Sequence, residues 1–507
     1  MSVESLEFEC LVVGSGISGL SAALEALRAD KSLCVVTKSS IKEGSSKYAQ
    51  GGVAVSAGKD DKPVRHYNDS LAVGEGLCDE KALAVMTKEI GGRIQELIGW
   101  GARFDTNSDG TLDLSLEAGH SRRRVAHYKD ATGAEIEDCL IRKVREYDYT
   151  MLEETSMTDL VVDAGVCTGA IVQTPGGPRQ ILADSTIIAT GGCGQLFEKS
   201  VDSVVATGEA IGMAYLQGAL IQDMEFIQFH PTAIDADTGE RMLLVSESLR
   251  GEGARLVNSE GIEFMEEVDS RGALAPRDIT ARAIWTQIQS GKKTYIDARG
   301  LDFDFQERFP TVYENSMDCG IDPTCDLIPV TPSAHYCIGG IKTDIDCQTN
   351  IAGLYAVGEA ACTGVHGANR LGSNSLAEAL VFGARCGRKI AEKKAGLREG
   401  QEPRKKIVCP AQNSEDKGEV VDEIRKCMWK NASLIRTRKR LEAALGELDE
   451  IDDRTSTPPH SISALVCARL IVQAALERRE TRGVHYRSDF PRKNPEYGKN
   501  TIQKNTK

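Results

Sequence analysis

Near the start of the chain, Cys10-Leu11-Val12-Val13-Gly14-Ser15-Gly16-Ile17-Ser18-Gly19 runs from an apolar strand through glycines into a helix. A second apolar strand follows at Leu33-Cys34-Val35-Val36. The pattern suits a dinucleotide pyrophosphate. Gly14 permits the tight turn, Gly16 lets backbone amides approach the phosphates, and Gly19 lets helix and strand pack closely. The free N–H groups and positive dipole end of the helix, with Ser15, Ile17 and Ser18 in the turn, would face the anion.

A plain nicotinamide site expects a carboxylate about 20 residues beyond the glycines. Here the second strand ends in Thr37-Lys38, so Lys38 either meets a phosphate or is a solvated loop lysine. Far downstream, Gly353-Leu354-Tyr355-Ala356-Val357-Gly358-Glu359 is another strand ending in glycine and an acid. Glu359 is placed to accept hydrogen bonds from sugar or ribityl hydroxyls of a cofactor long enough to reach both segments. Between them lies a polar, glycine-rich loop, Glu43-Gly44-Ser45-Ser46-Lys47-Tyr48-Ala49-Gln50-Gly51-Gly52. Its small residues let backbone touch a flat ring, which the Gln50 amide or Ser46 hydroxyl would polarise. These features favour a flavin.

The elements that must position these residues fall into three textures. At 507 residues the chain exceeds what one core supports. Strands running into glycine loops at 10–19, 185–192 and 353–359 suggest one parallel sheet with its ligand beyond the strand ends. The polar stretch from Glu225 to Tyr336 reads as an insertion, and Asn413 to Arg479 shows helical periodicity. The expected division is therefore 1–224 with 337–402 for the cofactor, 225–336 for a cap, and 403–507 for a helical domain. Ala395 to Pro410 reads as a charged linker, and the basic stretch from Phe490 to Lys507 as a mobile tail.

Composition narrows the class. A hydrophobic share of 41% with 27% charged residues is that of a soluble globular protein. No segment approaches the roughly 20 apolar residues of a membrane span, and the net charge of −14 argues against nucleic acid as a partner. The acidic start lacks the basic and apolar runs of a signal peptide. The 15 cysteines are scattered without metal-ligand spacing, so reduced thiols in the cytoplasm and no metal are expected.

Several separate motifs then occur in one order: Gly44 to Gly52, Glu117-Ala118-Gly119-His120-Ser121, Gln228-Phe229-His230-Pro231-Thr232, Ala275-Pro276-Arg277-Asp278, Ala334-His335-Tyr336 and His366-Gly367-Ala368-Asn369-Arg370. Over nearly its whole length the chain resembles the fumarate reductase/succinate dehydrogenase flavoprotein superfamily and, within it, the L-aspartate oxidase family. The resemblance implies an α/β fold: a Rossmann-type FAD-binding domain, an inserted α+β capping domain and a C-terminal helical bundle. It implies FAD contacts from the Gly14–Gly19 turn, Lys38, the Ser45–Gly52 loop, Glu209, Glu359, Ser375 and Leu376. Ser45 stands where many relatives attach the flavin through histidine, so FAD should be noncovalent. Two departures, Ser200-Val201-Asp202 for Thr-x-Asn-Pro and Gly208-Glu209 for Gly-Asp, leave the part of Glu209 open.

A four-carbon dicarboxylate needs donors at both ends, closed from water. The resemblance implies that His230, Thr232, His335 and Arg370 bind it, with Arg277 as the catalytic proton donor. Glu247, Glu252 or Arg250 would relay the proton, because arginine is ordinarily always charged. Read alone, each has a structural alternative: a turn histidine at His230, a packed strand histidine at His335, a surface ion pair at Arg277, an Arg370–Glu378 pair. Glu117 would attract the ammonium of an amino acid and penalise a dianion. The implied reaction is oxidation of L-aspartate to iminosuccinate with oxygen or fumarate as acceptor, opening NAD biosynthesis and feeding a quinolinate synthase. The alternatives are a fumarate reductase-like or succinate dehydrogenase-like subunit, which would need an electron-transfer partner, and a noncatalytic flavin module.

Overall fold

The structure is a computed structural model describing residues 4–239, 241–393, 419–453 and 459–505. The expected linker at 395–410 lies outside the described residues. Strand Glu4–Val13 pairs in parallel with Leu33–Val36 on one side and with Gly177–Ile188 on the other. Thr150–Leu152 extends one edge, and Leu354–Ala356 joins the last residues of Gly177–Ile188, both in parallel. The register sets Val13 beside Val36 and Ile188, Ala356 beside Ile188, and Leu152 beside Val36. The strand ends thus form one row, and the loops that follow open on a common crevice, where ligands of such sheets sit.

The sheet is not wholly parallel, as the sequence suggested. Ser156–Asp163 and Val166–Thr174 add antiparallel strands to the lower half of Gly177–Ile188. Ala164 and Gly165, both at positive φ, make a tight hairpin turn that leaves no room for a crossover helix.

A second sheet comes entirely from 227–337. Ile227–Ile234 pairs with Ile328–Cys337, which pairs with Thr294–Asp297 and then Arg255–Asn258, all antiparallel. The chain enters at Ile227 and leaves at Cys337 as paired neighbours. Helix Arg277–Gln289 packs on this sheet.

Helices Glu419–Ala432, Arg438–Asp452 and Pro459–Glu477 follow. The last lies against helix Glu209–Leu216, where a Cβ on Gly212 would meet the Ser463 carbonyl oxygen at 2.0 Å. The tail corrects the expectation of mobility. Ile502–Gln503 forms an antiparallel pair with Ile221–Gln222, and Asp223 accepts from the Thr501 N–H at 2.9 Å. Charge alone hid this, because the anchors are buried acids far upstream. The described cysteines other than Cys167 are free thiols. Among the described residues no helix is long and apolar enough to cross a membrane, and no cluster of metal-ligating side chains occurs.

Candidate active site

The crevice is shaped by close backbone approach. Gly14, at φ +113°, leaves no space for a side chain: a Cβ would sit 2.2 Å from the Ala189 carbonyl oxygen. A Cβ on Gly19 would sit 2.2 Å from the Gly14 oxygen, as close helix–strand packing requires. Helix Ile17–Leu27 has no side-chain cap, so its N-terminal amides stay available to an anion. Ile17 N–H donates to Ser46 Oγ at 3.2 Å. Ser15 Oγ ties the turn to Thr37 Oγ1 at 2.9 Å and to the Ile41 carbonyl at 3.1 Å.

Of the residues expected at FAD, Gly14, Ser15, Gly16, Ser18, Lys38, Ser45, Ser46, Tyr48, Ala49, Glu209, Glu359, Ser375 and Leu376 line one cleft, together with His335. Ile17, Gly19, Lys47, Gln50, Gly51 and Gly52 are not among the residues that line it. Lys38 Nζ pairs with both Glu209 carboxylate oxygens at 2.9 and 3.1 Å, so each holds the other at the rim. Ser45 Oγ accepts from Ser203 N–H at 3.2 Å. Gln50 Nε2 donates to the Leu244 carbonyl at 3.0 Å. Gly51 matters differently: a Cβ there would meet Glu117 Oε1 at 2.5 Å. Glu359 accepts from the Cys337 N–H at 2.8 Å, and burial pushes its carboxyl up to about 7. A glycine cradle, an uncapped helix start and polar groups at both ends of one long cleft fit an FAD.

Beside the cleft the four expected cations and imidazoles converge. His230 and His335 lie with ring centres 5.0 Å apart. Arg370 Nη2 donates to His335 Nε2 at 2.9 Å, its Nη1 to Ser375 Oγ at 2.9 Å, and its guanidinium lies 4.4 Å from the centre of the Tyr336 ring. His230 Nδ1 accepts from the Thr232 N–H at 3.2 Å, which puts the proton of a neutral ring on Nε2. Burial, helped by the neighbouring arginines, holds both imidazoles well below their ordinary range. They are neutral donors rather than cations. Burial and then Arg277 bring Arg370 down to about 10.

Arg277 begins helix Arg277–Gln289 and is buried, not in a surface pair. Its Nε donates to Glu247 Oε2 at 2.6 Å and its Nη1 to Gln228 Oε1 at 3.2 Å. Gln228 Nε2 in turn donates to the Arg370 carbonyl at 2.9 Å, so one amide spaces the two arginines. Arg250 Nη2 stands 3.8 Å from Glu247. Glu252 instead faces Arg123 and Arg308 at 3.9 and 3.7 Å and is not brought to Arg277. Glu378 takes Tyr336, His366 and Thr363 rather than Arg370.

Glu117 is buried where Gly51 and Gly372 leave room, and accepts from Ser373 Oγ at 2.8 Å and Ser248 Oγ at 3.3 Å. Burial and then Glu247 push its carboxyl up, whereas Arg277 and Arg250 overcome burial to hold Glu247 down. Close by in the chain, where Arg122, Arg123 and Arg124 follow one another, Arg124 is buried on Asp61 and Asp69 at 2.8 and 2.6 Å. Sequence reasoning gave no part to Ser373, Ser248 or Tyr336; a single serine in a turn or a short helix carries no periodic signal, and Tyr336 reads as an ordinary strand residue.

Residues 9–376 match the FAD binding domain family, and residues 461–507 match the fumarate reductase flavoprotein C-terminal family. The chain is 41% identical to the L-aspartate oxidase of Caulobacter vibrioides, covering 96% of this chain and 94% of that one. It is 39% identical to that of Streptomyces coelicolor, covering 95% and 88%. Among solved structures, a mutated E. coli quinol fumarate reductase superposes with a TM-score of 0.89 at 28% identity, covering 98% of this chain and 94% of that one.

Proposed function

The chain belongs to the L-aspartate oxidase family of FAD-binding flavoproteins related to fumarate reductase, and from that premise we propose how its residues oxidise L-aspartate to iminosuccinate, the first step of NAD biosynthesis. One observation carries the reading: two imidazoles and two arginines gather beside the flavin cleft, with the buried Glu117 carboxylate close to both arginines. Arg370, His335 and His230, with Thr232 fixing the His230 tautomer, hold the substrate carboxylates. Glu117 takes the ammonium, which turns the Cα–H bond towards the cleft. The cleft lined by Gly14, Ser15, Ser46, Glu359 and Ser375 would hold FAD, noncovalently because the 43–52 loop offers no histidine, and the group would supply the hydride acceptor while the substrate nitrogen releases the accompanying proton. With fumarate as acceptor, which would take the hydride back on one carbon, Arg277 hands a proton to the neighbouring carbon and is resupplied through Glu247 and Arg250. Segment 225–336 acts as the cap and 403–507 as a helical support. The protein works in the cytoplasm, and the unstable imine passes to a quinolinate synthase.

Anaerobic addition of L-aspartate should bleach the flavin absorbance of the purified protein. In air the same substrate should yield peroxide, and succinate should not. Bleaching by succinate but not by L-aspartate would replace this reading with that of a succinate dehydrogenase-like subunit.

A further inference from the structure

Asp202 is an acidic side chain that nothing above employs. It is 4% exposed, lines the same cleft as Gly14 and Glu359, and its Oδ2 is buried without a hydrogen-bond partner. Its backbone is pinned on both sides: the N–H donates to Ser200 Oγ at 3.2 Å and the carbonyl accepts from Gln195 Nε2 at 2.7 Å. The carboxyl rests against Gly194, where a Cβ would lie 1.9 Å from Oδ2. The Glu359 carboxyl rests against Gly192 in the same way, 2.2 Å from the corresponding position. Two acids therefore occupy adjacent hollows of one glycine loop.

The charged and titratable groups facing Asp202 are otherwise engaged. Glu359 takes the Cys337 N–H. Arg241 lies over the Tyr48 ring and gives Nη1 to the Val201 and Met242 carbonyls. Arg370 is committed to His335 and Ser375, and the Tyr336 hydroxyl to Glu378. The Cys193 and Cys337 thiols are held well above the ordinary thiol range, so they add no charge. Two neighbouring buried carboxyls do not both ionise readily. Burial, and then the charge of Glu359, raise the Asp202 carboxyl well above its usual range.

We infer that FAD enters this cleft together with a proton carried by Asp202, whose carboxyl then donates a hydrogen bond to an acceptor atom of the cofactor. The inference rests on the flavin reading of the cleft. The proton passes from solvent to Oδ2, and no bond of the cofactor is made or broken. An ionised Asp202 would set a second negative charge, offset only in part by Arg370 and Arg241, beside a ligand rich in acceptors.

The test is FAD binding to apoprotein between about pH 6 and about pH 9, read by quenching of flavin fluorescence, with calorimetry in buffers of different ionisation enthalpy. For the natural chain Kd should rise towards the alkaline end, approaching about tenfold per pH unit, with matching proton uptake. Asp202→Asn keeps a donor and removes the titration, so its Kd should stay within about twofold across the range, without uptake. A natural-chain Kd that is flat without uptake, or that tightens as pH rises, overturns the inference. So does an Asp202→Asn protein that keeps the natural slope, since the proton would then sit on Glu359. Should that variant fail to fold, calorimetry of the natural chain decides. Failure to bind FAD at any pH would sink the cofactor reading itself.

Discussion

Arg478, at the C-terminal dock, and Arg370, at the mouth of the flavin cleft, are both buried guanidiniums, but they are treated differently. Arg478 gives Nε to Glu225, Nη1 to Glu480 and the Tyr497 carbonyl, and Nη2 to the Lys499 carbonyl and Thr501 Oγ1. Arg370 has only a neutral imidazole and a hydroxyl for its terminal nitrogens, and its Nε has no partner. The titration follows. Burial opposes the charge of Arg478, but Glu225 and Glu480 more than offset it, and the group moves up. Burial and Arg277 together move Arg370 down. A guanidinium paired at every nitrogen is part of the fold. One left half-paired in the interior holds charge for an anion that is not part of the chain.

Replacing each by methionine should break this comparison or fix it, and it carries the largest expected effect. Arg370→Met should lower kcat/KM for L-aspartate by about a hundredfold to a few thousandfold, the loss expected when one partner of a desolvated charge pair is removed. Its melting temperature should hold or rise, because a poorly paired buried charge has gone. Arg478→Met should do the reverse: a stability loss of about 3–5 kcal/mol by denaturant unfolding, with kcat unchanged per folded molecule. Finding the stability loss at Arg370 and the catalytic loss at Arg478 would invert the assignment of the two regions.

The two regions also differed in how well they could be read from sequence. The cleft rests on backbone geometry, and backbone geometry has a residue code: Gly14, Gly16 and Gly19 announced a turn that admits nothing larger. The candidate site residues His230, Arg277, His335 and Arg370 were legible only as motifs, since their convergence depends on a sheet that returns Ile328–Cys337 beside Ile227–Ile234. The antiparallel hairpin at 156–174 was missed because a short alternating strand and a turn look alike in either sheet type. The tail was misread for a plainer reason. A run of lysines and arginines is usually solvated, and only the fold brings Asp223 and Glu225 under Asn500 and Thr501.

A change on the acidic side of the candidate site sharpens the comparison further. Glu117 is held by two serine hydroxyls, contacts that a glutamine can keep in part, so Glu117→Gln isolates its charge. The variant should raise the KM for L-aspartate by about ten- to a hundredfold, the worth of one charge-assisted contact. Succinate, which has no ammonium, should bind as well as before or more tightly in a flavin absorbance titration. An equal loss for both ligands would mean that Glu117 only supports the fold.

The smallest effect concerns pH, and it should touch the dock and spare the site. Asp223 accepts from the Thr501 N–H and from Gln222 Nε2 at 2.9 and 3.0 Å. Burial, and then the neighbouring Glu225, push its carboxyl up to about 7, against 3.8 ordinarily. The folded dock therefore binds a proton that the unfolded chain releases. The stabilisation from that proton is complete below the ordinary value and is lost as pH rises through about 7. Above that point a second negative charge faces Glu225, so the tail should open more often. Hydrogen exchange at Thr501–Gln503, corrected for intrinsic rates, should accelerate by at most about tenfold per pH unit between about pH 4 and about pH 7 and level off above that, and Asp223→Asn should abolish the slope. Arg370, titrating at about 10, keeps its charge throughout, so substrate binding should show no matching step. A tail whose exchange ignores pH would mean that Arg478 and its carbonyl partners hold the dock without help from Asp223.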